Sequence, residues 1–231
     1  MKKIIIGAVI AVALSAGAFA KTWTNNVGVG LTVPVSIMHG KDAIFFDSYD
    51  SSTQTSKTTK DKTAVSYNVL GSYLGYHENG FTVKGALSLG IAAIPEWFYD
   101  DGATPGIGVS LTETIGAGYS FIRSDRFVLA ATGGFGLQEI IIPYSQKLMS
   151  VEYETTDTLI TFNLGADITA ILKTSDTFGF FASCYLGWIP FGQYKQEVKR
   201  TVNSSSTTIT NTVDLDGSFF IAPSIGLQWV F

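Results

Sequence analysis

The sequence predicts an all-β protein: an eight-stranded, antiparallel, up-and-down transmembrane β-barrel. Three observations predict it. The last fourteen residues alternate, with Phe219, Ile221, Pro223, Ile225, Leu227, Trp229 and Phe231 apolar and mostly small or polar residues between them. Successive side chains of a strand point to opposite faces, so one face of this segment is greasy and the other mild. Seven earlier stretches repeat the alternation, and the connections between them run long, short, long, short, long, short, long. Sorting of loop length by parity describes a barrel with short turns at one end and long loops at the other. Finally, the charges sit in loops and turns. A soluble barrel turns its large apolar residues inward and charges its exterior. Here neither strand face is charged enough to meet water, so the apolar face must meet lipid.

The elements follow in order. Residues 1–20 read as an export signal: Lys2 and Lys3, an apolar core over residues 4–14, and the small-x-small site Ala18-Phe19-Ala20. The remaining residues, 21–231, form one barrel domain. Strand one covers residues 23–34, with Val27, Val29, Leu31 and Val33 on one face. Residues 39–63, rich in Ser, Thr, Lys and Asp, read as a long loop. Strand two covers 64–76 and ends in the turn His77-Glu78-Asn79-Gly80, whose Asn-Gly pair suits a hairpin. Strand three covers 81–94. Its face of Phe81, Val83, Leu87, Leu89 and Ile91 opposes Thr82, Lys84, Ala86, Ser88 and Gly90. After a loop at 95–106, strand four covers 107–122 and turns through Arg123-Ser124-Asp125-Arg126. Strand five covers 127–142, and residues 143–157 form a loop. Strand six covers 158–172, with Ile160, Phe162, Leu164, Ala166 and Ile168 opposite Thr161, Asn163, Gly165, Asp167 and Thr169. Strand seven covers 177–188, residues 190–214 form the last loop, and strand eight closes the chain. Proline cannot donate to a ladder. The pairs Val33-Pro34, Ile94-Pro95, Ile142-Pro143 and Ile189-Pro190 should therefore mark where pairing frays towards the long-loop rim.

Composition narrows the function. Without residues 1–20, 13 basic residues face 19 acidic ones, which argues against nucleic acid as a partner. The single cysteine, Cys184, cannot form an internal disulfide, and no Cys/His cluster has metal-ligand spacing. No cofactor motif is present: Gly133, Gly134 and Gly136 lie within a strand and make no phosphate loop. Lys84, Asp167 and Asn163 have inward parity and are candidates for a polar lumen. Glu113 interrupts the apolar face of strand four, and is either a fourth lumen candidate turned inward by a bulge or a residue at the upper membrane interface. Lys84 and Asp167 either pair across the lumen, for which Gly90, Gly116, Gly118 and Gly165 leave room, or are solvated separately by interior water. His39 with Asp42, Asp47 and Ser48 gives a weak reading as a hydrolase site at the rim. No nucleophile–base–orienter set is recognisable, so the expectation is no enzyme.

The strand count, the loop asymmetry and the C-terminal pattern of Ile225, Leu227, Trp229 and Phe231 together resemble the small eight-stranded outer-membrane proteins of bacteria, the group containing OmpX, OmpW and the barrel of OmpA. The resemblance implies location in the bacterial outer membrane and recognition of the C-terminal strand by the outer-membrane assembly machinery. It implies a surface-exposed structural or interaction protein, or a narrow conduit for small or hydrophobic molecules. An extracellular ligand would then meet the loops at 39–63 and 190–214. Two alternatives stay open on the residues alone: a soluble secreted β-barrel that binds a small apolar ligand, and an outer-membrane enzyme with a site at the rim.

Overall fold

A computed structural model describes residues 22–41, 45–50, 55–59, 61–93, 107–148, 151–202 and 205–231. The expected export segment and the loop at 95–106 lie outside the described residues. The strands are β1 (Trp23–Thr32), β2 (Val35–His39), β3 (Phe45–Asp50), β4 (Thr55–Thr59), β5 (Asp61–His77), β6 (Phe81–Ala93), β7 (Gly108–Arg123), β8 (Phe127–Leu148), β9 (Val151–Lys173), β10 (Phe178–Val202), β11 (Ser205–Asp214) and β12 (Ser218–Val230).

Antiparallel pairing runs β1–β5–β6–β7–β8–β9–β10–β12 and returns to β1, so eight staves close a ring. β2 extends the first stave past Val33 and Pro34 and keeps the same neighbours, β12 and β5. Pro34 has no N–H, but its carbonyl accepts from Ser66 N at 2.9 Å, and Val33 N donates to Pro223 O at 3.1 Å. The chain ends are stitched by Asn25 N to Phe231 O at 3.2 Å and Phe231 N to Asn25 O at 2.8 Å.

The stagger of the ring follows from register. The row of direct neighbours from Phe180 passes Leu227, Val29, Gly71, Leu87, Glu113, Leu137 and Phe162, and re-enters β10 at Phe191, eleven residues above its start. One of those residues is taken up by a bulge between Trp188 and Phe191, where Pro190 sits. Such a stagger requires strands tilted by about 35–45°, and eight strands leave an interior only wide enough for side chains.

The two faces are sorted as alternation demands. Leu31, Val69, Leu89, Phe121, Ile168, Leu186 and Ile225 face outward and are exposed. At the short-turn end, aromatic residues form a girdle in which Trp23 meets Phe81 at 6.0 Å and Phe178 meets Trp229 at 5.8 Å, both edge-on. The turn before β6 uses Gly80 at φ 97°, a conformation that favours glycine.

Several expectations change. Residues 39–63 are not a plain loop: they hold the end of β2, the hairpin β3–β4 and the start of β5. The loops expected at 143–157 and 190–214 are largely ladder. β8 and β9 stay paired up to Leu148 and Val151, and β10 and β11 up to Val202 and Ser205. β-Branched Thr, Val and Ile fill these segments and favour strand whether or not the segment is polar. Pro143 pairs with Thr156 inside the ladder, so it does not mark fraying. Pro34 interrupts its stave and Pro190 accompanies the bulge, while Pro95 lies outside the described residues.

Inward glycines align in one row: Gly116, Gly134, Gly165 and Gly187 are direct neighbours across β7–β10. A Cβ at Gly134 would run into the carbonyl of Ile115, and one at Gly165 into that of Leu186. The outward Gly85, by contrast, has its nearest neighbour, Thr114 O, 4.0 Å from a built Cβ. Gly165→Val is therefore expected to lower unfolding stability by at least about 1–3 kcal/mol, whereas Gly85→Ala changes it little. Urea unfolding in lipid vesicles, followed by the heat-modifiable gel shift, separates the two.

Candidate functional site

The lumen is stacked in layers. At the short-turn end Leu70, Leu74, Tyr76, Val128, Ala130, Ile171 and Phe181 form a buried apolar cluster. At the long-loop end Met38, Ala64, Ala92, Ile140, Ile142, Leu159, Tyr194, Val213 and Leu215 form another. Both clusters point inward, to the face where the alternation predicts polar or small residues. Between them a third cluster, Tyr185, Ile189, Phe220 and Ala222, shares the lumen with a polar zone.

The charged centre of that polar zone is built by register. Lys84 on β6 is the direct neighbour of Gly116, which heads the glycine row over β7, β8 and β9. The lysine side chain can cross this bare stretch because nothing projects from it. Its Nζ lies 2.6 Å from Asp167 Oδ1 and donates to Thr169 Oγ1 at 2.7 Å, and Thr169 Oγ1 donates in turn to Asp167 Oδ1 at 2.5 Å. Both charged side chains are only 8% exposed. Asn163, two steps of the alternation higher on β9, accepts from Tyr185 Oη at 2.7 Å through its Oδ1. A cavity of about 30 Å³ adjoins the pair, lined by residues that include Thr112, Ser88, Tyr185 and Ser224.

Glu113 does not join this set. It pairs directly with Leu87 and Leu137, and directly paired residues share a face, here the outer one. β7 carries no bulge at this position, so nothing turns the carboxylate inward. Glu139 pairs with Leu111 and Ile160 and shares the outer face. Ile225, Leu227, Trp229 and Phe231 are exposed on the outer face of the closing stave.

The upper seal contains a polar cluster that the loop reading of residues 39–63 hid. Lys62 on β5 donates to Tyr194 Oη at 3.3 Å and lies 5.1 Å from the centre of that ring, and Tyr194 donates to Asp157 Oδ2. All three are at most 2% exposed. The signal that could have found Lys62 is parity: it continues the inward face of Ala64 and Ser66 by one step ahead of the expected strand start. The cluster stands above the lipid-facing belt, because the outward residues on the same rungs are Thr156, Thr158, Lys195 and Glu197. Burial pushes the Asp157 carboxyl up to about 6, against the opposing pull of Lys62 and the hydrogen bonds from Tyr194 and Gln196.

His39 Nδ1 and Asp61 Oδ1 lie 2.6 Å apart at the exposed rim. The neighbouring hydroxyl, Ser218 Oγ, is fully buried and bonds the backbone of His39, accepting from its N–H at 2.8 Å. The side chains of Asp42, Asp47 and Ser48 lie outside the described residues.

No family model and no curated protein matches the sequence. Solved structures do. The outer membrane protein OprG from Pseudomonas aeruginosa is similar at 11% identity, with 91% of this chain and 97% of that chain covered and a TM-score of 0.56. A major outer membrane protein from Thermus thermophilus is similar at 7% identity, with 88% of this chain and 99% of that chain covered and a TM-score of 0.52. The chain thus has the fold of a small outer-membrane β-barrel.

Two outcomes follow from the site. Lys84→Ala leaves Asp167 buried without its cation, a loss of about 3–5 kcal/mol for a broken buried pair. In an Asp167→Asn background the same substitution should cost less, by about 0.5–3 kcal/mol. Urea unfolding of the four proteins in lipid gives the coupling, and equal costs would make the charges independent. The second outcome concerns pH. Asp157 holds its proton more tightly folded than unfolded, so the folded state is favoured at low pH. That advantage is lost as pH rises from about 4 through about 6. The pH dependence of unfolding over this window should flatten in Asp157→Asn.

Proposed function

We propose that the protein is an integral barrel of the bacterial outer membrane, exported by removal of residues 1–20, that acts as a closed anchor for an extracellular interaction surface. The observation that carries this reading is the contrast between its two halves: a lumen stopped by apolar clusters at both ends, and a sheet that rises beyond the lipid-facing belt.

That sheet consists of the upper parts of β8, β9, β10 and β11. Its outer residues include Glu152, Glu154 and Lys199, all exposed, with Lys199 Nζ bonded to Glu154 Oε2 at 2.7 Å. Charge and polarity of this kind belong to water, not hydrocarbon. Among the described residues, β11 has β10 as its only ladder partner; on its other edge Asp214 O accepts from Lys41 N at 3.0 Å, and the edge above that point has no strand beside it. An open edge is a template for an added strand. Residues 205–210 on it are all exposed, and their Ser and Thr side chains leave the backbone accessible. The expected partner surface at 190–214 is retained here as structured hairpin.

The alternatives fit less well. A conduit needs a continuous path, and Lys84, Asp167 and the two apolar clusters occupy it. A soluble binder of apolar ligands needs an apolar interior and a wettable outside, and the exposed apolar belt is on the wrong face. The rim reading as an enzyme has a His39–Asp61 pair but no accessible nucleophile beside it among the described residues.

The test has two arms. The purified protein in planar bilayers should give no stepwise conductance, and unitary openings would favour the conduit instead. Replacing residues 197–210 by a two-residue turn should leave the heat-modifiable, membrane-inserted barrel intact while abolishing binding of the cells to host or neighbouring-cell surfaces.

A further inference from the structure

We propose that Lys62, Tyr194 and Asp157 form a proton-sensitive latch, which holds the outer end of β5 against β9 and β10 in acid and releases it at neutral pH. The inference starts from how that end is supported. β5 and β10 are not neighbours on the ring, because β2 and β12 stand between them. Among the described residues, β6 accompanies β5 no further out than the rung Val65–Ala93. Beyond it, residues 61–64 of β5 are laddered to β2 alone. β2 in turn pairs with β12 only from Val35 to Ile37. The outer ends of β2 and β5 thus make a two-stranded finger. Facing it, β8, β9 and β10 form a continuous wall in which Ile142, Asp157 and Gln196 are direct neighbours.

The tie between finger and wall is polar. Lys62 Nζ donates to Tyr194 Oη at 3.3 Å, and Tyr194 donates to Asp157 Oδ2. Asp157 Oδ1 is buried and has no hydrogen-bond partner. A carboxylate in this place buries a charge with one oxygen unsatisfied, whereas the protonated acid buries no charge. The closed mouth therefore favours a proton on Asp157, in keeping with a carboxyl pushed up to about 6. Lys62 keeps two partners that do not need the carboxylate: the phenol oxygen and the ring face, whose centre is 5.1 Å away.

The groups packed around Asp157 leave the switch to this one carboxyl. β10 presents Tyr194 and Gln196, and β8 presents Ile142 and, one alternation step further out, Tyr144. β2 presents Met38, and β5 presents Lys62, the charged group of the set. His39 and Asp61 stand on the next rung of the finger, at the exposed rim. Release brings Asp157 to water, where its carboxylate is solvated. The ratio of released to closed molecules then rises by about tenfold per pH unit from about 4 to about 6. The lower apolar cluster and the Lys84–Asp167 pair lie deeper and block the lumen in both states. The latch governs the mouth, not a path through the barrel.

The experiment uses the full barrel in lipid bilayers, with Cys184→Ser and spin labels at Thr63→Cys on β5 and Thr158→Cys on β9. Double electron–electron resonance should give one label separation at about pH 4 and a second, longer one at about pH 7, its share growing between these limits. In Asp157→Asn the acid separation should persist at both. A distribution that ignores pH in the parent, or a change that survives Asp157→Asn, overturns the proposal. His39→Gln tests the rim pair: the pH response should remain, and its loss overturns the assignment to Asp157. Tyr194→Phe keeps the ring and removes the hydroxyl. It should show the longer separation already at about pH 4, and a closed mouth there overturns the latch.

Discussion

Eight tilted strands enclose a space little wider than the side chains that line it, and this narrowness governs the interior. With every inward position competing for the same volume, a large residue on one stave demands a small one on the next. The row from Gly116 to Gly187 is the clearest case. It removes side chains over four strands, and into that relief lie Lys84 from one side and Tyr185 from the other. A Cβ at Gly165 would stand 2.8 Å from the Tyr185 ring, and one at Gly187 would stand 2.9 Å from it. The salt bridge between β6 and β9 is thus a product of packing as much as of charge: without the bare stretch the lysine could not reach its partner.

The exterior obeys a different requirement. Hydrocarbon offers no hydrogen-bonding partner, so every backbone group in the belt must be paired by another strand. The closing stave β12 meets β1 and β10, and its Pro223, which has no N–H, still uses its carbonyl to accept from Val33 N and Thr32 Oγ1, the latter at 2.9 Å. Among the described residues, outward Glu113 and Glu139 are the charged exceptions to the apolar belt. They stand in its upper part, one rung apart on neighbouring strands, where long carboxylate side chains can reach towards the headgroups.

Much of the fold is legible in the sequence because alternation with period two marks both faces at once. That pattern alone places Trp23, Phe81, Phe127 and Ser218 each at or beside an observed strand start, and it places the three short turns. The upper halves of β8–β11 escape it, because Pro143, Pro190 and the Ser/Thr run at 204–208 carry loop signals that the neighbouring strand overrides through its ladder. Lys84 and Asp167 can be assigned to the lumen by parity, yet parity says nothing of distance. The stagger that brings β6 and β9 residues to one height emerges only when all eight registers are known. The seals are hidden for a related reason. Val128, Ile142 and Ile171 are apolar on a face that alternation reserves for polar residues, and in sequence they look like noise. Lys62 is lost with the segment that contains it.

The connectivity of the ring sets an order of events for its formation. Seams β5–β6, β6–β7, β7–β8, β8–β9 and β9–β10 are hairpins between consecutive strands, each of which can form by closing a modest loop. The seam that joins Asn26 to Val230 and Leu31 to Ile225 spans nearly the whole chain. Its entropic cost falls due only once, yet nothing rewards it until every other stave is in place. Before that moment the molecule is a curved sheet with two raw edges, and its Lys84 and Asp167 sit on staves whose spacing is not yet fixed. Contact order is therefore split within one protein: local zippering over most of the circumference, and a single long-range step that decides whether the product is a barrel or an aggregate-prone sheet.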